Sequence, residues 1–334
     1  MKSVNQHAAR KVRRNEVLMN YQIIGDSCMD ETEKMQQDTA HFSTVPLQLI
    51  VGQKEFCDDN SFDQSAFLEL IRTSPECPRT ACPSPDAFCR AFEASTASCI
   101  FVVTLSDKLS GTYNAACLGQ KLYEETHGES AKKIAVINSF SGCAGETRIA
   151  LLIRDLCESG KSFEETVQLA SDYAANHLQT YFVLQTLDTL RKNGRLSGPA
   201  ALFAYVLNLK PVLFAEGGEI KKYDTARGIN KALRTMCEAA VRAASDAKKK
   251  SSLLQTSLAR PEDASSQISG KSGADSAPLP QLDRAVLVHC NCPERAAAVR
   301  DMLKDCAVFA HIDIAPTRGV STIYAADGGI VLAI

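Results

Sequence analysis

The feature that most constrains this chain is an apolar strand that gives way to a helix through a glycine and a row of hydroxyls. Cys99-Ile100-Phe101-Val102-Val103-Thr104 is short, β-branched and aromatic, which predicts a buried strand. Leu105-Ser106-Asp107-Lys108-Leu109-Ser110-Gly111-Thr112-Tyr113-Asn114 follows, and Ala115-Ala116-Cys117-Leu118 begins a helical run. Free N–H groups and the positive end of a helix suit an anion at such a junction. In open α/β sheets, ligands bind just past the carboxyl ends of the strands. The stretch therefore predicts an oxyanion site lined by Ser and Thr, with no charged nucleophile of its own.

The same rhythm continues on both sides. Residues 21–25 and 45–51 read as strands, the second followed by a turn and Phe56-Cys57-Asp58. A helix is predicted over 63–71, then a loop over 73–85 rich in Pro, Ser and Cys. Ser84 as N-cap, Pro85 at the first helical position and Asp86 in the first turn start the next helix. A helix over 111–126, a strand over 132–138 ending in Ser139 and Ser141, and a helix over 144–158 follow. Ser162-Phe163-Glu164-Glu165 is a capping box opening a further helix. This alternation predicts an α/β fold over residues 21–177, a mostly parallel sheet flanked by helices.

The second half mixes its elements differently and is read as an α+β domain over 178–334. Strands are predicted at 180–185, 211–215, 219–225, 284–289, 308–314 and 329–334, with Gly217-Gly218 as a hairpin turn. Helices are predicted at 187–192, from 195 to 207, over 228–244 and over 293–303. Residues 245–282, rich in Ser, Ala and Lys and carrying Pro261, Pro278 and Pro280, are expected to form a mobile insertion. Residues 1–20 are expected to be a flexible tail. Their basic stretch Lys2–Arg14 is followed by no apolar core of a secretory signal.

Composition narrows the function. A net charge of -2 gives no general pull toward nucleic acid, and no apolar run approaches the roughly 20 residues of a membrane span. The 13 cysteines are odd in number and mostly sit in apolar runs, as expected of buried thiols in a reducing cytoplasm. His289, Cys290 and Cys292 form the one cluster resembling metal ligands, but no second pair stands at zinc spacing, so no metal is expected. No cofactor is expected either. A dinucleotide fingerprint is missing, and Gly160-Lys161-Ser162 and Gly270-Lys271-Ser272 lack the first glycine of a P-loop, Asp155 and Ser265 standing there instead. There is no G-x-S-x-G elbow.

Several blocks, in order, match one family. Asp26-Ser27-Cys28-Met29-Asp30, Val45-Pro46-Leu47, Phe56-Cys57-Asp58, Thr80-Ala81-Cys82-Pro83-Ser84 and Leu109-Ser110-Gly111-Thr112-Tyr113 form its first half. Asn138-Ser139, Asn193-Gly194-Arg195-Leu196-Ser197, Leu207-Asn208-Leu209-Lys210-Pro211, Ala226-Arg227-Gly228 and His289 continue it. The chain resembles the DegV family, which includes the fatty-acid-binding subunits of bacterial fatty acid kinase. The resemblance covers residues 21–334. It implies two domains with a long acyl chain buried between them or within one, and a fatty-acid-binding protein rather than an enzyme. The carboxylate would be held by the hydroxyls of Thr80 and Ser110, with Thr112, Ser106 and Ser27 nearby. The implied partners are a long-chain fatty acid, an ATP-dependent kinase that phosphorylates the bound carboxylate, and transiently a membrane surface.

The residues agree with part of this. Thr80 and Ser110 precede helix starts and present hydroxyls toward an anion. Arg195 follows a helix-ending glycine and supplies a positive field, expected to pair with Asp58 or Asp26. Phe203 and Tyr205, on the helix expected up to residue 207, are candidate walls of an acyl tunnel. The chain departs from the family near its end. Where the family has Gly-x-His-x-Gly-Pro-Gly, this chain has Tyr324-Ala325-Ala326-Asp327-Gly328-Gly329, with Ala326 at the histidine position. Family histidines lie near the carboxylate, so one donor is lost. The readings left open are a divergent paralogue holding another lipid or small molecule, a hydrolase using Ser110 or a cysteine in the same cleft, and a thiol-rich metal protein.

Overall fold

The computed structural model of the chain describes residues 19–128, 131–196, 209–258 and 283–334. β1 (Tyr21–Asp26), β2 (Phe42–Val45), β6 (Cys99–Thr104) and β7 (Lys133–Asn138) form a parallel sheet in the order β2-β1-β6-β7. Every residue of β6 is buried, which is why its sequence is continuously apolar instead of alternating. The helices in this half are α1 (Glu33–Gln37), α2 (Gln64–Thr73), α3 (Pro85–Ala94), α4 (Thr112–His127), α5 (Ala144–Glu158) and α6 (Phe163–Asn176). The Ser84 N-cap, with its hydroxyl accepting from Ala87 N, and the complete Ser162/Glu165 capping box stand where the sequence places them.

One expected strand divides. Residues 45–51 form the end of β2 and a separate β3 (Gln48–Val51), because Pro46 between them has no N–H to give to a ladder. β3 lies at the centre of a small antiparallel sheet between β4 (Lys54–Cys57) and β5 (Arg79–Ala81). β5 occupies part of the stretch expected to be loop. It carries Thr80 opposite Leu49.

The second half is built on a six-stranded sheet in the order β10-β9-β8-β13-β11-β12. Its strands are β8 (Thr180–Val183), β9 (Leu209–Glu216), β10 (Glu219–Arg227), β11 (Arg284–His289), β12 (His311–Pro316) and β13 (Ile330–Ala333). Only β11 and β12 pair in parallel. The helices here are α7 (Asp188–Lys192), α8 (Ile229–Leu258), α9 (Pro293–Asp305) and α10 (Gly319–Ala325). α1 and α10 were not foreseen.

The expected insertion at 245–282 is corrected over its first part, since α8 continues through Leu258. Residues 245–258 hold no glycine or proline and are dominated by Ala, Lys, Ser and Leu, so nothing stops the helix that Ala232, Met236 and Ala240 anchor in the core. The rest of that stretch, residues 1–18 of the expected tail and residues 197–207 of the helix expected from 195, with Phe203 and Tyr205, lie outside the described residues, while Arg195 and Leu196 are not helical.

α5 packs against both large sheets. Its Ile149, Leu152, Ile153 and Leu156 share one core with Ile23 and Phe101 of the parallel sheet and with Val286, Val288 and Val331 of the mixed sheet. A helix apolar on nearly every face is a buried one. Arg148 on this helix is fully buried, with its guanidinium 4.8 Å from the Tyr173 ring centre and its Nε donating to Arg284 O.

The approach of α3 to α4 depends on Gly119, where a Cβ would come within 2.6 Å of Pro85 O and 2.7 Å of Phe88 Cβ. Gly119→Ala therefore destabilises the fold by about 1–3 kcal/mol, despite the roughly 1 kcal/mol that alanine gains in helix propensity. A denaturant melt with an unchanged midpoint would contradict this packing.

Candidate functional site

A cavity of about 120 Å3 opens where the ends of β1, β6 and β7 face β8, the β9–β10 hairpin and α10. Its walls are largely apolar, from Leu105, Leu109, Phe182, Leu190, Ile220 and Val331. Thr180, Phe182 and Leu184 alternate along β8 and its end to line one side, so the cavity extends over about 13 Å of strand. An elongated apolar slot suits an unbranched chain.

Seven residues with hydroxyl or charged side chains stand on its lining: Thr80, Ser110, Ser141, Thr180, Arg195, Ser321 and Tyr324. Ser110 sits where β6 gives way to α4. Its Oγ lies 2.8 Å from Thr112 Oγ1 and accepts from Thr112 N at 3.3 Å. Thr112 is fully buried, and among the described residues its hydroxyl has no other partner. The Thr112 hydroxyl therefore donates to Ser110, since a buried donor left unpaired costs about 1–3 kcal/mol. That leaves the Ser110 proton free for the cavity.

Arg195 is placed by the end of α7. Gly194, at φ 72°, takes the left-handed conformation that closes a helix; its N–H donates to Arg191 O, and Arg195 N donates to Leu190 O. The Arg195 guanidinium donates to Leu109 O at 3.3 Å and to Asn193 O. The expected pairing with Asp58 or Asp26 does not occur. Asp58 accepts from Gly319 N and Val320 N, and Asp26 accepts from Cys28 N and Leu105 N. Those carboxylates are occupied by backbone, and Arg195 forms no ion pair with any carboxylate among the described residues.

The remaining expected hydroxyls lie elsewhere. Thr112 orients Ser110 from behind and does not line the cavity. Ser27 is fully buried, its Oγ accepting from Leu47 N at 3.0 Å to tie the chain after Pro46 to the end of β1. Ser106 is fully buried and donates to Gly218 O at 2.7 Å, fastening the tip of the β9–β10 hairpin over the cavity that Ala215 and Ile220 help to wall. The close approach requires glycine at that tip, since a Cβ on Gly218 would lie 2.5 Å from Ser106 Oγ.

Cys28, Cys143, Ser141, Thr180, Ser321 and Tyr324 also line the cavity and were not foreseen as site residues. The hydroxyl at Ser141 was visible after β7. The α10 residues gave no periodic or motif signal, because they reach the site only through folding. Behind Cys28 and Cys143 lies a buried acid cluster. Asp30 accepts from Arg318 N at 2.6 Å and from Cys143 Sγ at 2.8 Å. Burial pushes Asp26 up to about 6 and Asp30 up to about 7, and raises both thiols and Glu146 well above their ordinary values. Neither carboxyl oxygen of Glu146 has a hydrogen-bond partner among the described residues.

Elsewhere, His289 Nδ1 accepts from Cys292 N at 3.3 Å. Among the described residues, no group of three or more His, Cys, Asp or Glu is placed to hold a metal ion. No helix of the described residues is long and apolar enough to cross a membrane.

With the geometry in place, comparison with known proteins defines the class. The family model described as "uncharacterised protein, DegV family" matches residues 20–272. A DegV domain-containing protein of Streptococcus pneumoniae is 30% identical over 316 residues, covering 94% of this chain and 98% of its own length. The chain belongs to the DegV family. A DegV family protein from Ruminococcus gnavus, solved with vaccenic acid, is 36% identical with a TM-score of 0.78, covering 95% of this chain and all of the other (100%). The Fatty Acid Kinase (Fak) B3 protein of S. pneumoniae, loaded with linoleic acid, is 30% identical with a TM-score of 0.73 over 94% of this chain and 99% of its own. A DegV family protein from Eubacterium eligens, loaded with heptadecanoic acid, is 27% identical with a TM-score of 0.72 over 94% and 98%.

Two outcomes follow from this geometry. Ser106→Ala removes a buried hydrogen bond and leaves Gly218 O unpaired, costing about 1–3 kcal/mol locally. Amide exchange at residues 215–220 should rise more than in β6, and equal change in both would contradict the latch. The acid cluster sets the second. Asp26 and Asp30 keep their protons in the folded chain between about pH 4 and their raised values, where the unfolded chain has released them. Stability from these groups therefore falls as pH rises from about 4 to about 7, and Glu146 acts in the same direction. Glu146→Gln mimics the neutral acid, so the variant should lose less Tm than the wild type between pH 5 and 8. An identical loss would contradict the cluster's role.

Proposed function

We propose that this protein binds a long-chain fatty acid, with the acyl chain in the apolar cavity and the carboxylate against Thr80, Ser110 and Arg195. The observation that carries this reading is Arg195, a guanidinium that forms no ion pair with a carboxylate among the described residues, on the wall of a largely apolar cavity. A charge left unpaired beside an apolar slot is matched by a ligand with one anionic end. The oriented Ser110 proton and the Thr80 hydroxyl add neutral donors, and charge-assisted hydrogen bonds of this kind are the strong ones. The fatty acids held by the R. gnavus, E. eligens and S. pneumoniae relatives support the same ligand class.

Binding, not turnover, fits the lining best. Among the described lining residues there is no His, Asp or Glu to serve as a base for Ser110. Burial holds the Cys28 and Cys143 thiols protonated, which makes them poor nucleophiles. A carboxylate held by neutral donors and one arginine keeps an oxygen able to attack a phosphoryl group. We therefore read the protein as presenting the bound acid to a separate ATP-dependent kinase, a role supported by its likeness to the Fak B3 protein.

Native mass spectrometry of the purified protein tests the ligand. The expected result is a bound mass in the fatty-acid range, or uptake of added linoleic acid; a protein that takes up none contradicts the reading. Arg195→Gln should weaken linoleic acid binding by about 10–100-fold, the loss of one charged hydrogen-bonding group. Unchanged affinity would remove Arg195 from the site.

A further inference from the structure

We propose that Tyr324 is a headgroup ligand of this site, its phenol donating to the same carboxylate that Thr80 and Ser110 hold. The inference rests on the fatty-acid reading above and adds a residue to it. Tyr324 comes from α10, far along the chain, yet its phenol oxygen lies 3.1 Å from Thr80 Oγ1. Its ring lies 5.9 Å from the Arg195 guanidinium carbon, and all three side chains line the cavity.

The hydrogen count favours a ligand. Thr80 and Tyr324 bring two hydroxyl protons, and the contact between them uses one. The other is left to donate into the cavity, and an anionic oxygen seated between the two hydroxyls accepts from both. The ring has a second task. A guanidinium over an aromatic face is attracted by the ring's negative centre, which limits where Arg195 swings. The phenol and the cation therefore reach the carboxylate as one preorganised unit.

The position of the phenol is fixed by the fold and not by chance. Asp58 accepts from Gly319 N and Val320 N at 2.8 and 2.9 Å, and Asp30 accepts from Arg318 N at 2.6 Å, pinning the start of α10. Gly319 is needed there, because a Cβ would meet Leu49 Cδ1 at 2.3 Å and Asp58 Oδ1 at 2.6 Å. Ala326, two residues past Tyr324, has no donor and does not line the cavity.

Tyr324→Phe is the test, since it keeps the ring and its stacking on Arg195 and deletes only the hydroxyl. Affinities are measured for linoleic acid and for methyl linoleate, which has the same chain without the charge. The expected result is about a ten-fold or greater loss for the acid, no change for the ester, and a cooperative unfolding transition that shows the variant folded. Equal effects on acid and ester, or no effect on either, overturn the role of Tyr324 while leaving the fatty-acid reading intact. A wild-type protein that binds neither probe overturns the fatty-acid reading itself, and this inference with it.

Discussion

The start of α10, which brings Tyr324 to the polar end of the cavity, depends on two buried carboxylates gripping its backbone. Asp58 and Asp30 come from the first half of the chain, and the N–H groups they accept come from residues near its end. Burying a carboxylate is costly unless donors surround it, and backbone N–H groups are the cheapest fixed donors a fold can offer. Arg318 reinforces the grip by pairing with the buried Glu31 at 2.7 Å. Without these contacts the start of α10, and with it Tyr324, would lose backbone anchors on the first half of the chain.

The apolar core shared by the two halves sits on the other side of the site. α5 fills the space between the parallel and mixed sheets, and the residues just before it, Ser141 to Cys143, form part of the cavity wall. The cavity is thus the place where the shared core stops and strand ends from one half meet a strand face from the other. The β9–β10 hairpin closes it from outside, its body paired with β8 and its tip tied to Ser106.

Much of this was legible in the sequence, for physical reasons that differ from element to element. The β6 strand, the hydroxyl-bearing junction and α4 were readable because burial, a glycine and a helix start are local properties. Thr80, Ser110 and Arg195 were found among the expected site residues and do line the cavity. Which serine faces it was not readable. Ser106 and Ser110 stand in the same loop, but Ser106 spends its proton on Gly218, a partner 112 positions away. The partners of Asp26 and Asp58 were misjudged for the same reason: a backbone N–H leaves no trace in the sequence. Pro46 was visible as a residue, but its effect of sending β3 into a separate sheet follows from the fold around it. The continuation of α8 was hidden by composition, since Lys, Ser and Ala serve a solvated helix as well as a linker.

The account turns on an ionised acyl carboxylate lying beside Arg195, and carbon-13 NMR of a carboxyl-labelled fatty acid bound to the protein observes that group directly. An adjacent guanidinium and three hydroxyl donors favour the charged form, so the bound resonance should titrate with a midpoint below that of a simple alkanoic acid free in water. A midpoint at or above that value would place the carboxyl away from the cation and contradict the site.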